Sequence, residues 1–307
     1  MKRVLVYSGI FTVGFLAASL WNFWQVVQPE RLTIRLTPKD YRLPAEALTI
    51  RTEEGLKLAA WFIPPKDGHH APVVVLLHGY PTEKADMLPI ATALHPHFAT
   101  LLMDLRSFGK SEGRLTTLGL RERRDVRRAL DFLAGLGYTH VGVFGFSLGG
   151  ALGIMTAAED DRIQAVAAYA PFSDLKALGY DVYSRLWMLK YPLVELLVLW
   201  GRVFLGGDMT KPSPATTAER LSIPVLLIHS REDEQIPFRH AERLRRAWAK
   251  NPKAEFYFLD RGRHGQLPPD FEERIIKFFR THLGVKPESS SGRSQRREGP
   301  GPPTVVE

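Results

Sequence analysis

The 307-residue chain contains no cysteine. Disulfide scaffolds, thiol nucleophiles, cysteine-ligated zinc and iron–sulfur clusters are therefore excluded, and the fold has to be held together by its core. Hydrophobic residues make up 45% of the sequence and charged residues 24%, which is typical of a globular protein. This composition excludes collagen, coiled coils, multi-pass membrane proteins and fully disordered chains.

Charged residues are missing from a long segment near the start of the chain. No charge occurs from Val4 to Val27, although Lys2 and Arg3 precede this segment. A helix needs about 20 apolar residues to cross a bilayer, so the segment is long enough to span one. Aromatic side chains, which favour the headgroup zone, stand at its far end: Trp21, Phe23 and Trp24. We expect a transmembrane anchor at residues 1–28, with a cleaved signal peptide as the alternative.

The orientation of this segment depends on the charges at its two ends. Lys2, Arg3 and the terminal amine favour a cytoplasmic N-terminus, but four basic residues beyond the segment compete with them: Arg31, Arg35, Lys39 and Arg42. Long domains translocate largely regardless of such charges. We therefore expect the domain that follows to be extracytoplasmic.

The other end of the chain has little to bury. Residues 284–307 consist mostly of proline, serine, glycine and charged residues, and we expect a disordered tail there. The remaining segment, residues 29–283, has the size of one large domain. The net charge of +8 would permit nucleic acid or anionic lipid as a partner. The basic run Arg121–Arg128 is not accompanied by a nucleic-acid-binding motif, and we interpret it as a solvated helix face, so no nucleic acid partner is predicted.

Short apolar runs alternate with longer helical segments in the middle of the chain. We predict eight strands, at Ala47–Arg51, Leu58–Ile63, Val73–Leu77, Thr100–Asp104, His140–Phe144, Ala165–Tyr169, Val225–His229 and Glu255–Leu259. The predicted helices are Glu83–Leu94, Thr117–Ala134, Ser147–Ala158, Phe238–Lys250 and Pro269–Leu283. Several strands are apolar on both faces, as expected of strands with helices above and below. The fold class is therefore α/β, with a mostly parallel sheet and an antiparallel hairpin at one edge.

A long connection interrupts this alternation of strands and helices between Tyr169 and Val225. It has about fifty residues, far more than an ordinary connection needs. Residues 182–205 within it are rich in Leu, Trp, Tyr and Val, but charged residues punctuate them: Arg185, Lys190, Glu195 and Arg202. Charge at this density argues against a second membrane helix, which remains the alternative. We predict a helical cap over a pocket at about residues 172–216.

A Gly-x-Ser-x-Gly pattern, Gly145-Phe146-Ser147-Leu148-Gly149, lies between the strand His140–Phe144 and a helical run. A turn this tight puts the serine in strained backbone angles, and side chains at the two glycines would collide with neighbouring elements. The serine hydroxyl would also lie at the positive end of a helix, where developing negative charge is stabilised. This context favours a catalytic nucleophile over a structural turn.

A serine nucleophile needs a base, and the base needs an orienting carboxylate. In this architecture the chain order is serine, acid, histidine. The strand Val225–His229 is followed by a loop that contains three acids: Glu232, Asp233 and Glu234. The strand Glu255–Leu259 is followed by a loop that contains His264. These two loops would supply the acid and the base.

Four segments together resemble the α/β-hydrolase superfamily: Leu77-His78-Gly79-Tyr80, Gly145–Gly149, the Asp233 loop that ends in Ile236-Pro237, and Arg263-His264-Gly265. The similarity is to the serine aminopeptidase-like and dienelactone hydrolase-like branch, including membrane-anchored bacterial members of unassigned substrate. It covers about residues 45–283 and implies the α/β-hydrolase fold.

The resemblance implies a catalytic triad of Ser147 as the nucleophile, His264 as the general base and acid, and Asp233 as the orienting acid. Asp233 is preferred over Glu232 and Glu234 because it stands four residues after His229 and four before Pro237, as in the family.

The resemblance also implies an oxyanion hole of two backbone N–H groups, those of Leu148 and Tyr80. Pro81 cannot donate, which narrows the choice in the second loop, and the alternative for Tyr80 is a pocket wall only. No cofactor and no metal are implied. Two histidine groups, His69-His70 and His95-Pro96-His97, lack carboxylate or cysteine neighbours at ligand spacing, and we interpret them as surface residues.

The segment from Asp104 to Gly113 resembles another family segment but departs from it. Ser107 stands where glycine is usual, and Phe108 where histidine is frequent. This loop normally supports the site rather than reacting, so the departure concerns the shape of the loop and not the triad.

The function implied is that of a membrane-tethered serine hydrolase acting on an ester, thioester or amide. An apolar cap beside the site favours a small-molecule or lipid-like acyl substrate, and therefore a carboxylesterase or lipase-like activity. The alternatives are an acyltransferase with the same triad, a peptidase, and a non-catalytic scaffold with this fold.

Overall fold

The computed structural model describes residues 1–66 and 71–284. The histidine pair His69-His70 and all of the expected tail except Gly284 lie outside the described residues. The described chain is organised around one sheet of eight strands in the order β1-β2-β4-β3-β5-β6-β7-β8. The strands are β1 Glu46–Arg51, β2 Lys57–Ile63, β3 Val73–Leu77, β4 Ala99–Met103, β5 Val141–Phe146, β6 Ile163–Tyr169, β7 Val225–Ser230 and β8 Ala254–Leu259.

The sheet is mostly parallel, as the sequence predicts. β3, β4, β5, β6, β7 and β8 pair in parallel, whereas β1 and β2 form an antiparallel hairpin and β2 pairs antiparallel with β4. Every side chain of β3 and β4 is buried, because these strands are apolar on both faces and helices cover both. The carboxyl ends of the parallel strands meet at one edge, where the site lies.

Nine α-helices occur in the described residues. They are α1 Lys2–Val27, α2 Leu88–Leu94, α3 Glu122–Gly135, α4 Leu148–Ala157, α5 Leu175–Val182, α6 Lys190–Leu205, α7 Pro214–Ala218, α8 Arg239–Ala247 and α9 Phe271–His282. One core cluster lies between the sheet and α3, α4 and α8, and a second lies on the opposite face against α2 and α9.

Helix α3 begins five residues later than the sequence pattern predicts. Glu122 is fully buried and its carboxylate accepts hydrogen bonds from Thr116, Thr117 and the N–H of Gly119. These bonds hold residues 116–121 in a turn, in which Leu118 and Gly119 have positive φ values of 50° and 115°. The predicted helical start at Thr117 is therefore wrong, because a buried carboxylate fixes a turn there.

The long connection between β6 and β7 contains α5, a 3₁₀ segment at Ser184–Leu189, α6 and α7. We call Leu175–Leu205, which runs from α5 to the end of α6, the cap. The last turns of α1 pack against it, with Phe23 and Val27 buried beside Leu193 and Leu197. The preceding part of α1 is exposed. Among the described residues, α1 is the one helix long and apolar enough to cross a membrane.

Candidate active site

Ser147 lies at a sharp turn between the end of β5 and the start of α4. Its backbone has φ 53° and ψ −114°, outside the regions that side-chain-bearing residues usually adopt. The backbone N–H of Ser147 donates to the carbonyl of Tyr169 at 2.8 Å, which ties the turn to the end of β6. The strained conformation directs the serine away from the helix and into a pocket at the carboxyl edge of the sheet.

The glycines on both sides of Ser147 are required by close backbone contacts. A Cβ atom on Gly145 would come within 2.2 Å of the carbonyl oxygen of Gly149. A Cβ atom on Gly149 would come within 2.2 Å of the carbonyl oxygen of Leu77, at the end of β3. Any side chain at either position would therefore push α4 away from the sheet and displace the serine.

Asp233 and His264 meet across the loops that follow β7 and β8. The Nδ1 atom of His264 donates to Oδ2 of Asp233 at 2.7 Å. Since a carboxylate can only accept, the ring proton lies on Nδ1, and the lone pair of Nε2 is available as a base. Within the described residues Nε2 makes no hydrogen bond, including none to Ser147. Such bonds are often long in sites without substrate.

The ring of His264 lies next to the serine turn. Its centroid is 4.8 Å from that of Phe146, the residue before Ser147. Gly265 has a positive φ of 81°, and a Cβ atom there would come within 3.1 Å of the Phe146 ring. The structure therefore brings the three triad positions predicted from the sequence to one edge of the sheet.

The Asp233 carboxylate is held by several donors. Its second oxygen, Oδ1, accepts from the backbone N–H groups of Gln235 at 3.0 Å and Ile236 at 2.8 Å. Burial alone would raise the pKa of Asp233, but the hydrogen bonds from His264 and Ile236 outweigh burial and hold its pKa below the usual range. The carboxylate therefore stays ionised at neutral pH.

The two competing acids occupy different positions. Glu234 contacts His264 only through the backbone, accepting from its N–H at 3.1 Å, and its side chain is 42% exposed beside Arg263. Glu232 is exposed. Of the three acids in this loop, Asp233 is the one in contact with the histidine ring.

The sequence predicts an oxyanion hole formed by two backbone N–H groups, those of Tyr80 and Leu148. Tyr80 and Leu148 both line the pocket that contains Ser147. Within the described residues, neither N–H donates to a protein acceptor. Both groups are therefore free to donate to a bound ligand, which is what stabilisation of a tetrahedral oxyanion requires.

The loop that carries Tyr80 is held by His78, a fully buried residue. The N–H of Leu105 donates to Nε2 of His78 at 3.0 Å, so the proton of the ring lies on Nδ1, which donates to the carbonyl of Gly79 at 2.7 Å. Burial lowers the pKa of His78. This neutral ring joins the loop after β3 to the loop after β4.

Ser107, which stands where the family segment usually has glycine, has a strained backbone conformation. Ser107 has a positive φ of 68°, which is the conformation that glycine adopts most easily. Its loop is nevertheless anchored by Asp104, which pairs with Lys84 at 2.5 Å and accepts from the N–H of Lys110. These buried polar contacts hold the loop in its shape although Ser107 stands where glycine is usual.

A cavity of about 280 Å³ opens beside Ser147 under the cap. Its walls are mostly apolar and include residues from three parts of the chain: Phe172 and Leu175 after β6, Val194, Leu197 and Val198 of α6, and Val26 of α1. The position of Val26 in this wall is not predictable from the sequence, because the apolar segment of α1 has no periodic pattern that marks one face for packing.

The contact between α1 and the rest of the domain includes several polar bonds. The Tyr80 hydroxyl donates to the carbonyl of Val26 at 3.2 Å, and the Tyr183 hydroxyl donates to Asn22 at 2.5 Å. Trp200 donates from Nε1 to the hydroxyl of Ser19 at 3.0 Å. Two polar residues of the N-terminal segment, Ser19 and Asn22, are therefore partners of the cap, and the backbone of Val26 is a partner of Tyr80 in the site.

The histidines considered as metal ligands do not assemble with other ligands in the described part of the chain. No group of three or more His, Asp or Glu side chains arranged for a metal ion occurs in residues 1–66 and 71–284. His95 and His97 follow the end of α2 and are half-buried, so they are less exposed than the surface positions predicted for them.

A family model described as alpha/beta hydrolase fold matches residues 72–191. An uncharacterized protein of Salmonella typhimurium, YfhR, is 28% identical over 256 residues, which cover 79% of this chain and 84% of that protein. The alpha/beta hydrolase domain-containing protein WAV2 of Arabidopsis thaliana is 25% identical over 248 residues, covering 75% of each chain.

Solved structures share the same architecture. An esterase of Pyrococcus furiosus, Pf2001, has a TM-score of 0.69 with 24% identity, covering 83% of this chain and 100% of that one. An acylaminoacyl peptidase of Pyrococcus horikoshii has a TM-score of 0.63 with 20% identity, covering 80% of this chain and 42% of that one.

Proposed function

Because this chain has the α/β-hydrolase fold, we propose that it is a serine hydrolase that cleaves an ester, thioester or amide through an acyl-enzyme. The observation that carries the proposal is the hydrogen bond from His264 to Asp233 beside the strained turn of Ser147. A scaffold without catalytic activity would not need these three residues at one edge of the sheet.

In the proposed reaction, the Ser147 oxygen bonds to the substrate carbonyl carbon while Nε2 of His264 takes the hydroxyl proton. The bond to the leaving group then breaks, and His264 delivers the proton to the departing oxygen, sulfur or nitrogen. Water adds to the acyl carbon while His264 takes a proton from it, and the bond to Ser147 then breaks as His264 returns that proton to the serine oxygen. Asp233 fixes the ring so that Nε2 faces the reacting atoms and stabilises the charged imidazolium.

The carbonyl oxygen becomes negatively charged in each tetrahedral intermediate. We assign its stabilisation to the N–H groups of Tyr80 and Leu148, which have no protein acceptor among the described residues. Leu148 is also the first residue of α4, where the helix dipole adds positive potential.

The pocket supports a substrate with a hydrophobic acyl group. Its apolar walls would bury a hydrocarbon chain favourably, at about 0.8 kcal/mol per CH₂ group. We therefore propose a carboxylesterase or lipase-like activity on a small-molecule or lipid-like substrate.

Two other reactions could use the same triad. An acyltransferase would pass the acyl group to an alcohol or amine, and the apolar pocket would serve it equally well. A peptidase is the second alternative, because the chain shares its fold with an acylaminoacyl peptidase as well as with an esterase. Product analysis with added acceptors, and a comparison of matched ester and aminoacyl substrates, would separate these activities from ester hydrolysis.

We also propose that α1 anchors the enzyme in a membrane with the catalytic domain outside the cytoplasm. The length and apolar character of α1 support the anchor. The polar contacts of Ser19 and Asn22 with the cap support retention of this segment in the working enzyme, as opposed to its removal as a signal peptide.

The direct test of the proposed function is covalent labelling by a fluorophosphonate probe. We expect Ser147 to be labelled, and Ser147→Ala to lose labelling and at least about 10³-fold in kcat/KM. The variant should keep its thermal stability or gain slightly, since active-site residues are often held at some cost in stability. An unlabelled, folded wild-type protein beside a labelled control hydrolase would refute the proposal.

A panel of p-nitrophenyl esters from short to long acyl chains tests the proposed substrate class. We expect kcat/KM to rise with acyl length until the chain fills the cavity under the cap, because each added CH₂ group is buried. A strict preference for acetate would contradict a hydrophobic acyl substrate.

A further inference from the structure

We propose that the cap lies directly on the lipid bilayer that holds α1, through an exposed apolar surface. This surface, which we call the cap face, consists of Leu186, Trp187, Met188, Leu189, Leu199, Val203 and Phe204. The inference rests on the proposed anchoring of α1 but not on the catalytic activity. Its occupant is the bilayer itself, because the cap face is continuous with a helix long enough to span one.

The level of the membrane follows from the length of α1. Lys2 and Arg3 remain at a headgroup surface, so a hydrocarbon core that takes about 20 residues extends from Val4 to about Phe23. The cap contacts α1 at this level. Trp200 bonds to Ser19, and the ring of Phe204 lies 6.0 Å from that of Phe23. The end of α6 therefore meets the edge of the hydrocarbon core.

The exposed side of α6 carries apolar side chains where it borders α1. Leu199 and Val203 are four residues apart, so they share one side of the helix, and they are 45% and 60% exposed. Glu195, four residues before Leu199, lies on the same side one turn nearer the start of the helix. Its carboxylate is paired with Lys176 at 2.6 Å and accepts from the Tyr180 hydroxyl, so it is already satisfied within the protein.

The 3₁₀ segment before α6 adds a second apolar projection. Trp187 is 79% exposed and is held in a strained backbone conformation, with φ 49° and ψ −119°. Strain that keeps a tryptophan in water has no stabilising effect on the folded domain alone, whereas tryptophan at a membrane interface is favourable. The residue just before this segment, Tyr183, bonds to Asn22, which places the projection beside α1.

Basic residues complete the match to a membrane surface. Arg185 is exposed next to the 3₁₀ segment, and Arg202, which pairs with Asp208 at 2.7 Å, is exposed next to the end of α6. Long basic side chains of this kind keep their charge at the headgroup level while their stems lie along apolar surface. The cap face thus has an apolar centre and a basic rim, which is the composition expected of a bilayer contact.

This arrangement puts the catalytic pocket next to the lipid. Val194, Leu197 and Val198 of α6 face the cavity, and Leu199 and Val203 of the same helix face outward. A single helix therefore separates the proposed acyl pocket from the bilayer, so an acyl chain that leaves the membrane has only a short distance to travel.

The absence of cysteine allows a clean test. A single cysteine replaces Leu199, Val203, Val13 or Leu136 in the full chain and is labelled with an environment-sensitive fluorophore. Each labelled protein is placed in nanodiscs whose lipids carry a spin label, either near the headgroup or in the acyl chain. The spin label quenches a fluorophore that lies close to it. Val13 of α1 reports insertion of the anchor, and Leu136, an exposed apolar residue that ends α3, is the matched control.

We expect quenching at Leu199 and Val203 to reach at least half of that at Val13, with none above background at Leu136. Quenching at Val13 but not at the two cap positions would overturn the proposed cap face and leave the anchor intact. No quenching at Val13 would overturn both. Unlabelled wild-type protein with a photoactivatable phospholipid gives a second reading, in which peptides from residues 183–205 should be crosslinked and those around Leu136 should not.

Discussion

Of the three residues of the proposed triad, Ser147 is the one that has a strained backbone conformation. A conformation of this kind costs on the order of 1–3 kcal/mol and persists only where the surroundings enforce it. Here the enforcement comes from the close approach of Gly145 to Gly149 and of Gly149 to Leu77. The strained serine is therefore held in place by the packing of α4 on the sheet, which links the position of the proposed nucleophile to the integrity of the core.

At the residue scale, the contact of Asp233 with His264 predicts a large effect of a small change. Asp233→Asn removes the charge that fixes the Nδ1 proton, and its amide can donate to Nδ1 instead, which favours the wrong tautomer. We expect kcat/KM to fall by roughly 10³- to 10⁴-fold with little change in the cap pocket. Steady-state kinetics on one ester substrate, with circular dichroism to verify folding, measures this effect.

Glu234→Gln is the matched control for Asp233→Asn. Glu234 touches His264 only at its backbone N–H, and a partly exposed charge of this kind contributes about 1 kcal/mol at most. The loss in kcat/KM should therefore stay below about fivefold. Equal losses in the two variants would mean that Asp233 is not the acid that orients the histidine.

At the scale of elements, the strands were predictable because their apolar runs are continuous. A run such as Val73–Leu77 is apolar at every position, and parallel strands buried on both faces need that pattern. Eight strands, the edge hairpin and the fold class are confirmed. The serine turn was equally predictable, because its glycines are demanded by contacts between neighbours that the strand and helix assignments already define.

The features that the sequence did not predict depend on contacts between distant segments. The start of α3 is set by the buried carboxylate of Glu122, which no local pattern marks. The packing of Val26 into the pocket wall depends on which side of α1 meets the cap. His240 is a third case, since it sits in a helix of ordinary amphipathic pattern but joins three elements.

His240 gives an element-scale prediction. Its Nδ1 accepts from the N–H of Ser173 at 3.1 Å, and its Nε2 donates to Asp181 of α5 at 2.9 Å. Burial lowers the pKa of His240 more than Asp181 raises it. Because the folded protein then binds this proton less readily than the unfolded chain, the stabilisation is fully present above about pH 6.5 and is lost as the pH falls below that value towards the lower pKa of the folded state.

Chemical unfolding of the full chain in detergent at pH 7, 6 and 5 tests this linkage in the wild type and in His240→Gln, whose amide can donate and accept in place of the ring. The wild type should lose up to about 1.4 kcal/mol per pH unit more than the variant below pH 6.5. Buried histidines common to both proteins cancel in this difference. Parallel pH dependences would show that His240 does not titrate in this range.

At the scale of the whole molecule, one path of contacts connects α1 to the proposed active site. Asn22 and Ser19 of α1 bond to Tyr183 and Trp200 of the cap. The carbonyl of Val26 accepts from the hydroxyl of Tyr80, whose N–H is assigned to the oxyanion. Helix α1 is therefore part of the wall of the site, and under the proposed anchoring its orientation in the membrane would fix that of the pocket.

The proposed orientation of α1 in the membrane gives the last prediction. Lys2 and Arg3 favour a cytoplasmic N-terminus. One of the competing basic residues, Arg31, is bonded in the folded domain to the carbonyls of Gly109, Ser111 and Gly113. With the domain outside, a cysteine at exposed position 136 in the variant Leu136→Cys should react with a membrane-impermeant maleimide in intact spheroplasts of the expression host. As a control, a cysteine introduced at a cytoplasmic site of a marker protein should react only after lysis. If Leu136→Cys also reacts only after lysis, the domain lies inside the cell and the proposed topology is reversed.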